Sequence, residues 1–269
     1  MHSNTRNDIN QQEFSLAVCT LASGSKGNAT YISDGKTSIL VDAGLSGIEL
    51  QRRLASRDLS PENLDAIIVT HEHSDHVRGV GILSRRYKLP VYINPKTHRA
   101  SPRIGKLHET RPFECGTTFH VNKMAIHPFA ISHDAENPAG FTIGQNGTTM
   151  GIATDLGIAT AMVRQHLKRC ALLILEANHD PTMLETGPYP WPLKQRIRGR
   201  TGHLSNPDSK KLLKELQHGG LRHVILGHLS EINNTPQKAF DEVSRAITRC
   251  NAKLTVADQY SSGPVIYLK

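Results

Sequence analysis

Residues 64–76 read LDAIIVTHEHSDH. Leu64 to Thr70 is a continuous apolar run of strand length, and a run without polar alternation predicts a strand covered on both faces. Directly after it, His71, His73, Asp75 and His76 place four side chains of metal-ligand type within six residues. Imidazole nitrogen and carboxylate oxygen suit zinc, manganese or iron. A tight loop at a strand's C-terminal end can aim alternate side chains at one point. A single ion could not readily take all four from so short a segment, so two ions sharing a bridging water is the economical geometry. The plain alternative is a histidine-rich surface loop.

Outward from this stretch, the chain alternates short strands with helices. Phe14 to Leu21, Ala29 to Ser33 and Ser38 to Asp42 read as strands, broken by SGSKGN and by Asp34-Gly35. A helix from Ile48 to Arg57 turns Leu50 and Leu54 inward. Helix then strand recur at Val77 to Lys88 and Pro90 to Asn94. Met124 to Ser132 is a strand, and Gly140 to Asp155 a hairpin turning at Asn146-Gly147. Helix Ala159 to Arg169 leads into a buried strand, Ala171 to Ala177. Asn206-Pro207 and Thr235-Pro236 read as N-cap and N1 pairs of helices running to about Gln217 and Cys250. Strands at Arg222 to Leu226, Lys253 to Ala257 and Pro264 to Leu268 complete the pattern. It predicts one α+β domain over residues 14–269, two sheets between helix layers, with residues 1–13 a flexible polar tail.

Composition narrows the class. At 269 residues, 38% apolar and 21% charged, the chain has the make-up of a soluble globular protein with a sizeable core. No apolar run approaches the length needed to span a bilayer, and the N-terminus lacks a signal-peptide core. The expectation is a cytoplasmic protein without a membrane partner. Four scattered cysteines without CxxC pairing give neither a zinc ribbon nor a disulfide framework. Fifteen histidines are unusual and are compatible with a metal site or with surface histidines. A net charge of +8 favours an anionic partner without choosing among nucleic acid, nucleotide and acidic protein.

The other ligands that a dinuclear site needs also stand at strand ends: His133 after MAIHPFAIS, Asp155 after GIAT and His228 after RHVILG. Alone, His133 or His228 would more often be structural; behind HxHxDH that weighting inverts. An aspartate after an early strand (Asp42 in VDAG), HxHxDH, a histidine, an acid and a final histidine, in this order, resemble the motifs of the metallo-β-lactamase superfamily from Phe14 onward. The resemblance implies the four-layer αββα sandwich of that family. It also implies one metal on His71, His73 and His133, a second on Asp75, His76 and His228, and Asp155 as the bridge. Asp42 is expected to orient the ligand loop rather than bind metal.

That fold hosts β-lactamases, glyoxalase II-type thioesterases, lactonases, flavoproteins and nucleases, so it does not choose a substrate. His133-x6-Gly140-Phe141 is similar to the His…Gly-Tyr stretch of ribonuclease Z-like phosphodiesterases. GHLSN (Gly202 to Asn206) resembles the motif whose histidine protonates the leaving group there, which makes His203 the candidate general acid; a helix-capping role for Asn206 explains part of the same motif. Longer stretches, LASGSKGNATYI, THEHSDHVRGV, ISHDAENPAGF, ATDLGIAT, LEANHD, GPYPWPLKQRIRGRTGHLSN and LGHLSEINNTP, are similar to the bacterial YycJ (WalJ)-type exodeoxyribonucleases. This implies 5′→3′ exonuclease action on double-stranded DNA, linked to DNA repair. No long insertion separates Asp155 from His228, so the β-CASP domain of larger members is missing, and no extended arm of the kind that clamps tRNA is present.

The implied chemistry uses two divalent ions, zinc or manganese. They lower the pKa of a bridging water and neutralise charge on the phosphoryl oxygens. Hydroxide attacks phosphorus in line, Asp75 accepts its proton, and His203 protonates the departing oxygen. Lys194, Arg196, Arg198 and Arg200 of LKQRIRGR are the candidate phosphate-binding residues. They share one face if the segment is extended and spread round the axis if it is helical. Arg85, Arg86 and Lys88 form a weaker patch. His179 of NHD could touch metal, touch substrate, or hold a structural hydrogen bond. The small residues of SGSKGN, with Gly24 and Gly27, suit a loop approaching metals or phosphate, or a tight β-turn. At 5% aromatic content, single-strand binding by base stacking is disfavoured. The competing class is a glyoxalase II-like thioesterase or lactonase acting on a small ester, which the same metal cluster would serve.

Overall fold

A computed structural model describes residues 14–269; the expected tail, residues 1–13, lies outside the described residues. The chain opens with an antiparallel meander of β1 (Leu16–Ala22), β2 (Ala29–Ser33) and β3 (Ser38–Val41). β4 (Ala66–Ile68), β5 (Pro90–Ile93) and β6 (Glu109–Pro112) then join in parallel. Their crossovers carry α1 (Gly47–Ala55), α2 (Ser74–Val77), α3 (Val80–Tyr87) and α4 (Pro95–Ala100). The second half repeats the plan. β7 (Phe119–Val121), β8 (Met124–Ala130), β9 (Ala139–Gln145) and β10 (Thr148–Ala153) form a meander. β11 (Leu172–Glu176), β12 (His223–Gly227) and β13 (Lys253–Val256) add in parallel. Here the connections carry α5 (Ala161–Leu167), α6 (Pro181–Thr186), α7 (Trp191–Ile197), α8 (Asn206–Leu216) and α9 (Pro236–Ser244). β14 (Ile266–Leu268) returns to pair antiparallel with β1, which gives two seven-stranded sheets.

The unbroken apolar strands follow from this layering, because the central strands β3, β4 and β11 bury both of their faces, whereas the edge strand β6 is exposed. Ile68, Ile152 and Ile174 point into the space between the sheets, beside Phe141 and Ile225. Their neighbours point outward. Ile67 packs with Leu50, Leu54 and Leu83 under one helix layer, and Leu173 and Leu175 pack with Val163, Leu212 and Val243 under the other. The architecture is the αββα sandwich, with helices outside and the main core between the sheets.

Local signals explain most boundaries. Ser46 caps α1 by accepting from the Glu49 N–H, and Leu50 and Leu54 are fully buried. Asn146 and Gly147 both have positive φ (49° and 80°), as a two-residue type I′ hairpin requires. One expected cap is wrong. Ser205, not Asn206, caps α8, its Oγ accepting from the Asp208 N–H at 3.2 Å. The buried Asn206 amide instead exchanges two 2.9 Å hydrogen bonds with Asn234. The expected helix from Val77 to Lys88 is divided near Gly79, and Ser74, Asp75 and His76 already belong to α2. The second helix expected to reach Cys250 ends at Ser244.

Two loops at the C-terminal edge of the first sheet meet with no room to spare. Gly44 donates to the Asn28 carbonyl at 2.9 Å, and a Cβ built on Gly44 would lie 1.6 Å from the Asp75 carbonyl oxygen. Backbone cannot yield as a flexible side chain can, so the glycine is what lets the VDAG and HEHSDH loops touch. Gly44→Ala is therefore expected to destabilise by about 3 kcal/mol or more. That corresponds to a fall in melting temperature of about 6–12 °C. Gly219→Ala, with open space around it, should change stability by no more than about 0.5 kcal/mol. Thermal unfolding followed by circular dichroism compares the two; equal melting temperatures would show that the loops do not depend on this contact.

Candidate metal centre

The histidines and carboxylates gather where the central strands of both sheets end. Asp42 follows β3, His71 lies just beyond β4, Asp155 just beyond β10, Glu176 ends β11 and His228 follows β12. Asp42, Asp155 and His228 adopt left-handed backbone, with φ of 59°, 58° and 55°. For residues other than glycine this costs roughly 1–2 kcal/mol each. The turn that aims each side chain is a strained one.

His71, His73 and His133 form one cluster of donor atoms within 4.8 Å of one another, and Asp75, His76 and His228 form a second. Asp155 reaches both sides. Its Oδ2 is 3.4 Å from His76 Nε2, and its Oδ1 is 3.9 Å from His133 Nε2 and 3.3 Å from His228 Nδ1. His73 Nδ1 lies 3.1 Å from His71 Nε2 and 3.2 Å from His133 Nε2. Three imidazole nitrogens facing one another cannot all be satisfied by protons. Two further buried atoms, Asp155 Oδ2 and His228 Nε2, have no hydrogen-bond partner in the protein. Buried polar atoms left unpaired are costly, and a donor set of this chemistry fits two divalent cations.

The surrounding groups orient these donors. Asp42 Oδ1 accepts from the Thr70 N–H at 2.8 Å. Its Oδ2 accepts from Thr70 Oγ1 at 2.8 Å and lies 2.7 Å from His76 Nδ1. Asp42 thus faces the back of His76 and joins neither cluster. Asn28 of SGSKGN reaches His76 Nε2 at 3.0 Å and Asp75 Oδ2 at 3.2 Å, which brings that loop to the rim of the site. Charge and burial pull in opposite directions here. Burial lowers His71, and the surrounding histidines push it the same way. Burial also works against protonation of His76, but Asp155, Asp42 and Asp75 outweigh it and push that imidazole up to about 9. Asp75 moves down despite burial, because His76 and His228 stand beside it.

Glu176 was not among the expected site residues, and among the described residues it is the acid with the most hydrogen-bond partners. It is fully buried. Its Oε1 lies 2.8 Å from both His203 Nδ1 and His228 Nδ1. Its Oε2 accepts the Leu156 N–H at 2.9 Å and the Leu204 N–H at 3.1 Å. Burial would raise this carboxyl, yet the two histidines hold it well below the usual range. The only local signal was an acid ending the apolar run LLILE. His203 is held by its Nδ1, and its side chain, 20% exposed, lines a cleft of about 310 Å³ with His73, Asp75, His133, Asp155 and His228.

The basic stretch is mostly helical, so its four cations do not share a face. Arg196 lines the cleft with Leu193 and Ile197, and its Nε is 2.5 Å from Asp134 Oδ2. Lys194 donates to the Glu185 carbonyl at 2.7 Å, and the Arg198 guanidinium lies 4.6 Å above the Trp191 ring. Arg200 is exposed just beyond the helix. Arg85, Arg86 and Lys88 are exposed on α3 and the residue after it, away from the cleft lining. His179 is buried beside α8, its carbonyl accepting the Asn206 N–H at 2.9 Å. It touches neither cluster; burial lowers its imidazole to about 4, and its Nδ1 has no partner. Among the described residues no helix is long and apolar enough to cross a membrane.

Residues 37–229 match the beta-lactamase superfamily domain. The chain is 38% identical over 232 residues to exodeoxyribonuclease WalJ of Streptococcus pneumoniae, covering 84% of this chain and 86% of the relative. It is 35% identical over 235 residues to exodeoxyribonuclease YycJ of Bacillus anthracis, covering 86% and 89%. Among solved structures, the metallo-beta-lactamase fold protein YhfI from Bacillus subtilis aligns with a TM-score of 0.72 at 18% identity, covering 94% of this chain and 99% of that one. Human tRNase Z, short form, aligns with a TM-score of 0.63 at 16% identity, covering 92% and 98%. The chain belongs to the metallo-β-lactamase superfamily of metal-dependent hydrolases, in the same family as WalJ and YycJ.

Proposed function

We propose that the protein is a dinuclear-metal phosphodiesterase that degrades double-stranded DNA as a 5′→3′ exonuclease. The observation that carries the phosphodiesterase reading is His203. Its Nδ1 is fixed on a buried carboxylate while its ring opens into the cleft beside both donor clusters. An ester with a good leaving group needs no such acid, whereas a departing sugar alkoxide does. The choice of DNA rests on the relatives named exodeoxyribonuclease, and the direction of digestion rests on the resemblance in the motifs.

His71, His73 and His133 would hold one cation, Asp75, His76 and His228 the other, with Asp155 shared between them. Bound zinc or manganese supplies Lewis acidity at the phosphoryl oxygens and an activated water. The chain's own groups do the rest. Asp75, held on one side by the Asn28 amide, accepts the proton released in the attack. With His203 Nδ1 engaged by Glu176, Nε2 is the nitrogen that delivers a proton to the leaving oxygen. Arg196 sits 60% exposed in its pair with Asp134, and an exposed pair is worth about 1 kcal/mol or less. A phosphate can therefore recruit that guanidinium at little cost. Lys194, Arg198 and Arg200 face the strand outside the cleft rather than the scissile group.

Metal-loaded protein is expected to release the label of 5′-labelled duplex DNA as a mononucleotide or short product while leaving a thioester and a lactone essentially untouched in parallel assays. Rapid thioester turnover with intact DNA would place the protein with the glyoxalase II or lactonase-type esterases instead. His203→Ala should keep both metals by elemental analysis and lose roughly 10²–10⁴-fold in kcat, the usual contribution of a positioned acid. Loss of a metal in that variant would contradict the acid role. Glu176→Gln behaves differently, since the same carboxylate also orients His228. Metal affinity should fall by roughly 10–100-fold together with activity. A variant that loses activity at unchanged metal affinity would confine Glu176 to His203.

A further inference from the structure

The other side of α7 carries an arrangement that the hydrolytic site does not use. Trp191 is the chain's only tryptophan, and it is 61% exposed. At 3.6 residues per turn, Leu193, Arg196 and Ile197 fall on one side of α7, and these three line the cleft. Trp191, Lys194 and Arg198 fall on the opposite side. Prolines on both sides of Trp191 stiffen its backbone, and Arg198 stacks a guanidinium 4.6 Å over the ring. An exposed indole bordered by cations suits a flat aromatic partner that carries negative charge. Low aromatic content counts against a broad stacking platform, but it does not count against one ring on the far side of the helix that lines the cleft.

We propose that the Trp191–Arg198 stack is a contact for a nucleobase of the substrate strand outside the catalytic cleft, with Lys194 and Arg198 engaging the adjoining phosphates. This rests on the nucleic-acid reading of the site. The ring and the cleft are separated by one helix, about 10 Å across, against a rise of about 3.4 Å per nucleotide. The contacted base is thus about three nucleotides from the scissile bond. The ring acts on strand binding and not on the chemical step.

Because the indole is the only one present, its fluorescence reports the contact directly. Titrating metal-loaded protein with a nuclease-resistant phosphorothioate duplex should quench the emission. A duplex with abasic residues two to four positions from the end should bind with little quenching. In steady-state digestion, Trp191→Ala should raise KM for DNA about tenfold with kcat little changed, and Trp191→Phe should recover much of that loss. Abasic substitution should raise the wild-type KM by a similar factor and the Trp191→Ala KM no further. Wild-type protein that neither binds nor degrades DNA overturns the nucleic-acid reading and this one with it. Wild-type protein that degrades DNA, with KM unchanged in Trp191→Ala and no quenching, overturns the stack alone. An equal penalty from abasic substitution in both proteins also overturns it.

Discussion

A single buried carboxylate joins the two halves of the candidate site. Glu176 takes His203 and His228 on one oxygen and two backbone N–H groups on the other. One imidazole belongs to a donor cluster and the other opens into the cleft. The backbone donors come from Leu156, next to Asp155, and from Leu204, next to His203. Three separate chain segments are therefore referenced to one charge. Stripping a partner from a buried ionic group costs about 3–5 kcal/mol, so these segments cannot drift apart independently. The same arrangement selects tautomers. With a carboxylate at Nδ1 of both rings, Nε2 is the free nitrogen in each, facing Asp75 from His228 and the cleft from His203.

Against that order stands a good deal of strain. Asp42, Asp155 and His228 together forfeit roughly 3–6 kcal/mol in left-handed backbone, a large part of the about 5–15 kcal/mol that stabilises a domain. The fold tolerates this because the strained residues sit at the ends of strands buried on both faces. There the core clusters on each side of the sheets hold the chain in place. The like charges and unpaired nitrogens of the clusters add to the strain until cations share them. Binding metal and holding the loops in place are thus linked, and the first sheet enters the same linkage through the backbone contact of Gly44 with Asp75.

What could be read from the sequence was what is local. The HxHxDH cluster was legible because its four donors lie within one loop, and the strands because burial on both faces leaves an unbroken apolar run. Asp155 and His228 were legible by their place after such runs. Glu176 was not: its partners lie 27 and 52 residues away, and a lone acid at a strand end has no spacing to announce it. The helix α7 escaped for another reason. It buries none of its residues and so carries no apolar stripe to choose between an extended and a helical segment. The α8 cap was misplaced by one residue because Ser205 and Asn206 are both good capping residues. The choice between them was made by the reciprocal amide pair with Asn234, a contact between distant segments.

The same missing stripe bears on how α7 works. A helix with no buried residue is held by its edges: Arg196 on Asp134, Lys194 on the Glu185 carbonyl, and the Ile197 carbonyl on the His203 N–H at 2.8 Å. That last bond ties the end of the helix to the backbone of the residue whose imidazole opens into the cleft. Asp134 in turn adjoins His133, a donor of the first cluster, and its Oδ1 is 3.4 Å from His133 Nε2. Through these two links α7 is registered to both sides of the candidate site, although it buries none of its residues in the core. On the proposed nuclease reading, an element attached in this way can yield when a strand enters and still keep its cations in reach of the backbone. A helix sunk into the core would present the same charges more rigidly. On that reading the weak anchoring of α7 belongs to its proposed role, just as the strained turns belong to the donor clusters they aim.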